Sequence, residues 1–178
     1  MTNTERIEKI VASHDVCEYT FGDYGQIPFS DKVIHICRSD CPRYGHCWAC
    51  PPAVGDIHDC MERTSAYKRF CLFSTVAEVS DSNNLAACLP AKKAHEALSR
   101  QIRAELRQAL PEHLMLSTGC SICDTCTYPD GPCRFPEERL SSMESHGIVL
   151  VNLIEAMGMC ADYGNDMVVY FTMILYND

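Results

Sequence analysis

The sequence has no long apolar run, and this absence bears first on membranes. None of its hydrophobic stretches approaches the roughly 20 residues that a membrane-spanning helix needs. Residues 1–9 are polar and contain no apolar core of the kind found in a secretory signal peptide. We therefore expect a cytoplasmic protein without a membrane partner.

Basic residues and nucleotide-binding glycine motifs are also scarce. The 178 residues include 15 Lys and Arg against 24 Asp and Glu, which gives a formal net charge of −9. A chain this acidic is poorly suited to follow a phosphate backbone, so no nucleic acid partner is expected. Neither G-x-G-x-x-G at the start of a helix nor G-x-x-x-x-G-K-[ST] is present, so no nucleotide-binding loop is predicted.

Cysteine, by contrast, is abundant, with 13 residues. The count is odd and nothing predicts export to an oxidising compartment, so a disulfide framework is disfavoured. In a reducing cytosol, the same density of thiols indicates metal binding. Nine cysteines fall in two clusters, and the scattered ones are predicted to be small buried hydrophobic residues. The scattered cysteines are Cys17, Cys71, Cys88 and Cys160.

The downstream cluster carries the stronger signal. Cys120, Cys123 and Cys126 follow one another at x2 spacing, and Cys133 comes after six further residues. Packing in a core needs no such register, whereas a short loop with this spacing presents three sulfurs to one inorganic centre. Bacterial ferredoxin loops begin with the same C-x2-C-x2-C spacing. Structural zinc sites more often use two separated knuckles, so a [4Fe–4S] cluster is favoured and zinc is the alternative.

The upstream cluster offers one sulfur more than a single centre needs. Its members are Cys37, Cys41, Cys47, Cys50 and, after nine intervening residues, Cys60. The first four would also make a four-cysteine zinc site, so iron–sulfur and zinc both stay open here.

Hydrophobic periodicity predicts an α+β fold. We expect a small mixed sheet with helices on one face and two cysteine-rich metal-binding loops. Residues 1–178 would form a single compact domain, with possible lobes at 1–67 (first cysteine loop) and 68–178 (second cysteine loop). The predicted helices are 4–13, 57–67, 85–110, 136–147 and 148–157, and the predicted strands are 69–79, 113–118 and 166–176.

The predicted helix 85–110 carries five basic residues outside its apolar stripe. A solvated face is the simpler interpretation, and a docking surface for an acidic redox partner is the alternative. These residues are Lys92, Lys93, Arg100, Arg103 and Arg107.

Further residues surround the cysteines in two longer motifs. The first, C-x3-C-P-x-Y-G-x2-W-x-C-P-P, begins at Cys37, and the second, C-x2-C-x2-C-x-Y-P-D-G-P-C-R-F-P-E, begins at Cys120. Together they resemble the two halves of the signature of a bacterial and archaeal family of predicted metal-binding proteins, whose domain has no assigned function. The resemblance implies that Cys50 and Cys60 join Cys37 and Cys41 as ligands. It also implies that Cys47 does not bind the first centre. Cys47 is the alternative ligand if one of the other four does not bind.

The sequence thus predicts two [4Fe–4S] clusters and one-electron transfer to a larger redox enzyme as partner. One alternative is a structural or scaffold protein that holds zinc or iron–sulfur without redox turnover. A second is an iron–sulfur enzyme that uses an open cluster site. No residue is predicted to be catalytic. The predicted ligands are Cys37, Cys41, Cys50 and Cys60 for one centre, and Cys120, Cys123, Cys126 and Cys133 for the other.

Overall fold

In the computed structural model, which describes residues 1–178, five strands form one mixed sheet in the order β1-β2-β5-β3-β4. The first three pairings in that order are antiparallel, and β3 pairs with β4 in parallel. The strands are β1 Glu18–Asp23, β2 Arg69–Glu78, β3 His113–Ser117, β4 Ser141–Ser142 and β5 Met167–Tyr176.

Five α-helices accompany the sheet, and their ends follow from local sequence. The Asn84 side chain accepts hydrogen bonds from the first amides of the longest helix, and Pro111 lies just beyond its end. Asp56 caps another helix, as the sequence predicts. The helices are α1 Asn3–Val11, α2 Asp31–Asp40, α3 Ile57–Ser65, α4 Leu85–Ala109 and α5 Leu150–Ala156, with short 3₁₀ helices at Tyr24–Gln26 and Glu144–His146.

Apolar side chains pack on both faces of the sheet because successive strand residues point to opposite sides. In β2, Cys71 and Phe73 pack with residues of α1 and α4 on one face. Phe70 and Leu72 pack with residues of α5 on the other face. The central strands are therefore buried on both sides.

A polar network lies between α4 and the sheet. The His95 ring contacts Thr75 Oγ1 through Nδ1 at 2.7 Å and Thr172 Oγ1 through Nε2 at 2.8 Å. Thr172 donates to Ser117 Oγ at 2.7 Å and lies 2.8 Å from Ser99 Oγ. Every buried polar group of this network thus has a partner, as burial requires.

The predicted α+β class and mixed sheet are confirmed, and most predicted helices and strands are found within a few residues of their expected bounds. The helices, however, cover both faces of the sheet rather than one. The helix predicted over residues 136–147 is absent, because only turns, β4 and a 3₁₀ helix occur there. Cys37 lies on α2 rather than in a loop. None of the helices combines the length and apolar character needed to cross a bilayer.

Candidate metal centre

The second cysteine loop leaves the sheet at the end of β3 and is anchored there by Glu96 of α4. Glu96 is fully buried, and its carboxylate accepts hydrogen bonds from Thr118 Oγ1 at 3.0 Å and from Ser121 N at 2.8 Å. The Ser121 hydroxyl also donates to it. Lys92, one helical turn earlier, forms an ion pair with it at 2.9 Å.

These contacts keep Glu96 ionised. Burial alone raises the pKa of a carboxyl group, but the hydrogen bonds from Ser121 and the charge of Lys92 outweigh it and lower the pKa of Glu96 below its ordinary value. The first residues of the loop are therefore attached to a buried negative charge on the longest helix.

All four predicted ligands of the second loop line one cleft. A fifth thiol, that of Cys47, lines the same cleft, although it belongs to the first loop. The lining carries no acidic residue and includes three arginines. The cysteines are Cys47, Cys120, Cys123, Cys126 and Cys133, and the arginines are Arg43, Arg134 and Arg139.

Two sulfurs of the cleft accept hydrogen bonds. Cys47 Sγ accepts from Arg43 Nη2 at 3.2 Å and from the Ala49 amide at 3.4 Å. Cys126 Sγ accepts from the Trp48 amide at 3.4 Å. Such donors stabilise negative charge on sulfur and tune thiolate-bound centres.

The first and second cysteine loops are joined by side chains around this cleft. Arg43 donates to the carbonyl of Cys120 as well as to Cys47. Trp48 Nε1 donates to the Gly131 carbonyl at 2.9 Å, and the Trp48 ring meets Tyr128 edge to face with centroids 4.9 Å apart. The two motifs therefore form one structural unit.

The acid–base properties of Cys47 and Cys50 differ strongly. The pKa of Cys47 is lowered to about 5 by hydrogen bonds from the Cys50 thiol and the Arg43 guanidinium. These bonds outweigh burial, which acts in the opposite direction. The same thiol contact, together with burial, raises the pKa of Cys50. The first proton of the pair is therefore lost from Cys47 rather than from Cys50.

The four ligands predicted for the first centre lie in three different places. Cys37 and Cys41, at the end of α2, line an apolar groove that also includes Glu144. Cys50 lies beside Cys47. Cys60 is buried on α3, and its thiol points to the carbonyls of Val54 and Ser145 at 3.7 and 3.9 Å.

No three His, Cys, Asp or Glu side chains lie close enough to one another to hold a single metal ion. This holds for the second loop, where the four thiols surround a cleft, and for the separated cysteines of the first.

Four of the five basic residues on α4 contact groups within the chain. Lys92 and Arg100 lie 2.9 and 3.9 Å from the Glu96 carboxylate. Arg103 donates to the Arg139 carbonyl at 3.0 Å, and Arg107 pairs with Glu137 at 3.3 Å. These side chains fasten the second loop and the segment after it to α4.

Sequence reasoning missed Glu96 and the place of Cys47. The sequence signals for Glu96 were its i,i+4 spacings to Lys92 and Arg100, which are common on exposed helix faces. Nothing in the spacing of Cys47 could show that it lines the same cleft as the other loop, because the bonds that join the loops there, from Trp48 and Arg43, reach residues more than 70 positions away.

Comparison with known proteins identifies one related family. The model of a family described as "Predicted metal-binding protein (DUF2284)" matches residues 23–176. No curated protein and no solved structure gives a significant match.

Proposed function

Because the chain belongs to this family of predicted metal-binding proteins, we propose that it binds a [4Fe–4S] cluster and transfers single electrons to a redox partner protein. The ligands would be Cys120, Cys123, Cys126 and Cys133. The observation that carries the proposal is the cleft that these four cysteines line together.

The charges around the cleft suit a thiolate-bound cluster. A cubane with four thiolates carries about −2 in its oxidised state, and Arg43, Arg134 and Arg139 surround the cleft without an opposing acid. The amide of Trp48 already points to Cys126 Sγ. These groups would offset the negative charge, while Trp48 and Tyr128 would limit access of water.

The order of the thiols in the sequence favours a cluster over a single zinc ion. Structural zinc sites usually pair thiolates in two separated knuckles. Cys120, Cys123 and Cys126 instead follow one another at x2 spacing, as at the start of ferredoxin loops. A cubane takes one thiolate at each of its four irons. When bound, such a centre supplies one-electron transfer.

The second predicted cluster, on Cys37, Cys41, Cys50 and Cys60, gains no support from geometry, because these thiols occupy three places. It stays a prediction of the sequence.

Metal content tests the proposal directly. Protein purified without oxygen should contain about four iron and four sulfide per chain for one cluster, and about eight of each for two. Cys123→Ser should remove the iron of the downstream centre and destabilise the fold, since metal binding contributes folding free energy. Cys17→Ser is the matched control, because Cys17 is exposed and lies in neither cysteine motif. Stoichiometric zinc without iron would overturn the cluster.

Electron transfer needs a second measurement. In a redox titration followed by paramagnetic resonance, the centre should be reduced and reoxidised without loss of iron, within the wide span of about −700 to +450 mV known for such centres. A centre that stays silent across this range would leave a structural role only.

A further inference from the structure

Cys47 and Cys50 are arranged as a potential disulfide pair. The Cys50 amide donates to the Cys47 carbonyl at 3.1 Å, which closes a four-residue turn. The ends of such a turn lie less than about 7 Å apart between Cα atoms, and disulfides usually join Cα atoms about 4.4–6.8 Å apart. The turn therefore holds Cys47 and Cys50 within the Cα separation that a disulfide needs.

The pair is also placed between the cleft and the surface. Cys47 is only 2% exposed and lines the cleft with the four thiols of the second loop. Arg43 contacts both Cys47 Sγ and the Cys120 carbonyl, so it joins the pair to that loop. Cys50 is absent from the cleft lining and is partly exposed. Cys47 thus lines the cleft, while Cys50 is a partly exposed residue outside the cleft lining.

We propose that Cys47 and Cys50 form a reversible disulfide couple, which takes electrons from the downstream centre and reduces a disulfide substrate. A C-x2-C sequence in a reducing compartment is a known form of redox-active dithiol. The electron supply rests on the proposed function above, whereas the couple itself does not.

The reaction balances with an external one-electron donor and a disulfide substrate. Two electrons from the donor would pass one at a time through the centre to the Cys47–Cys50 disulfide. Together with two protons from water, they would cleave this bond and leave two thiols. Cys50 then attacks a substrate sulfur and its proton passes to the departing substrate sulfur, so that a mixed disulfide forms and the first substrate thiol leaves. Cys47 attacks the Cys50 sulfur, re-forms the pair and releases the second substrate thiol. The donor is oxidised by two electrons and the substrate reduced by two.

Zinc binding is the competing use of a C-x2-C pair. A zinc knuckle needs a second pair of thiols, and the nearest candidates in sequence, Cys37 and Cys41, line a separate groove. The geometry therefore favours the disulfide couple.

Thiol labelling of the holoprotein tests the couple. The protein is equilibrated without oxygen in graded ratios of reduced to oxidised dithiothreitol, quenched in acid and labelled with N-ethylmaleimide. Trypsin releases residues 44–63, which contain Cys47, Cys50 and Cys60. This peptide should change from three labels to one in a single two-electron transition, in which a tenfold change in equilibrium corresponds to about 30 mV.

Matched variants identify the sulfurs involved. Cys47→Ser and Cys50→Ser should each abolish the transition, and Cys60→Ser should keep it as a change from two labels to none. Three labels on the unsubstituted peptide at every ratio, or a disulfide to any other cysteine, would overturn the proposal.

Two further arms test the electron supply and the substrate. Reduction of the Cys47–Cys50 disulfide by methyl viologen radical should be at least tenfold slower in Cys123→Ser than in the unsubstituted protein. An unchanged rate would overturn the proposed electron route. This holds even if the two-electron transition in dithiothreitol is still observed. Insulin and glutathione disulfide then serve as protein and small-molecule substrates under the same donor. If either disulfide is reduced by the unsubstituted protein but not by Cys50→Ser, the result supports the reductase activity and shows whether its substrate is a protein or a small molecule. If neither disulfide is reduced, the proposed activity is overturned.

Discussion

His95 is uncharged in the folded protein because its ring lies inside the polar network of α4 and the sheet. Burial lowers the pKa of His95 to about 4, and the ring is 1% exposed with Thr75 and Thr172 on its two nitrogens. An unfolded histidine has a pKa near 6.5. The unfolded chain therefore binds one more proton at this residue between about pH 6.5 and pH 4.

Replacing His95 with Gln should make the protein less sensitive to acid. In that pH window the free energy of unfolding rises with pH. Each such histidine contributes about 1.4 kcal/mol per pH unit to this slope. His95→Gln keeps a hydrogen-bonding side chain without a titrating group, so the slope should fall by about that amount. Urea unfolding at several pH values between 6.5 and 4.5 measures it.

The control for this prediction is His58→Gln, since His58 is exposed, and its slope should match that of the unsubstituted protein. Any acid sensitivity of the metal centre is common to all three proteins and cancels in the comparison. Equal slopes for His95→Gln and the unsubstituted protein would show that His95 is charged in the fold.

The junction between α4 and the second cysteine loop depends on one helical carboxylate. Glu96→Gln should lower the free energy of unfolding by about 1.5–3 kcal/mol, because the hydrogen bonds from Ser121 and Thr118 lose their charged acceptor and Lys92 its partner. The loop should also release iron faster to a chelator. Urea unfolding and chelator kinetics measure the two effects.

Glu105→Gln provides the comparison on the same helix. Glu105 is half exposed and pairs with His14 at 2.9 Å, so its replacement should change stability by less than about 1 kcal/mol. If both variants retain iron equally well, Glu96 does not hold the loop.

Helices and strands with long apolar patterns were predictable, and segments held by tertiary contacts were not. The four-residue apolar repeat predicts α4, and the dense apolar run predicts β5. Residues 136–147 were predicted as a helix from Pro136 and Gly147 alone. The structure instead fastens this segment to α4 through Arg103 and Arg107, whose guanidinium groups bind its carbonyls. No local signal records such long-range bonds.

At the scale of the whole molecule, sequence spacing could predict only what lies within one segment. The four thiols of the second loop fall within 14 residues and share a cleft. Cys47 joins them through folding, and Cys60, though near the first cysteines in sequence, is buried elsewhere. Tertiary packing therefore divides the cysteines differently from their order along the chain.

The net charge of −9 suggests a low reduction potential, but the arginines around the cleft act in the opposite direction. Local charges should dominate, because screening weakens exposed charges beyond about 8 Å at physiological ionic strength. Arg139, which lines the cleft and stacks over Trp48 at 5.8 Å, offers a test. Arg139→Met should lower the midpoint potential by on the order of 60 mV, equivalent to about 1.4 kcal/mol for one electron.

Lys9→Met makes the same change in net charge, from −9 to −10, at an exposed position on α1, which contributes nothing to the cleft. Its midpoint, measured in the same paramagnetic resonance titration, should stay close to that of the unsubstituted protein. Equal shifts in the two variants would mean that the total charge of the molecule, rather than the arginines at the cleft, sets the potential. A larger shift for Arg139→Met places the centre beside that side chain, because an electron added there is stabilised most by the nearest positive charge.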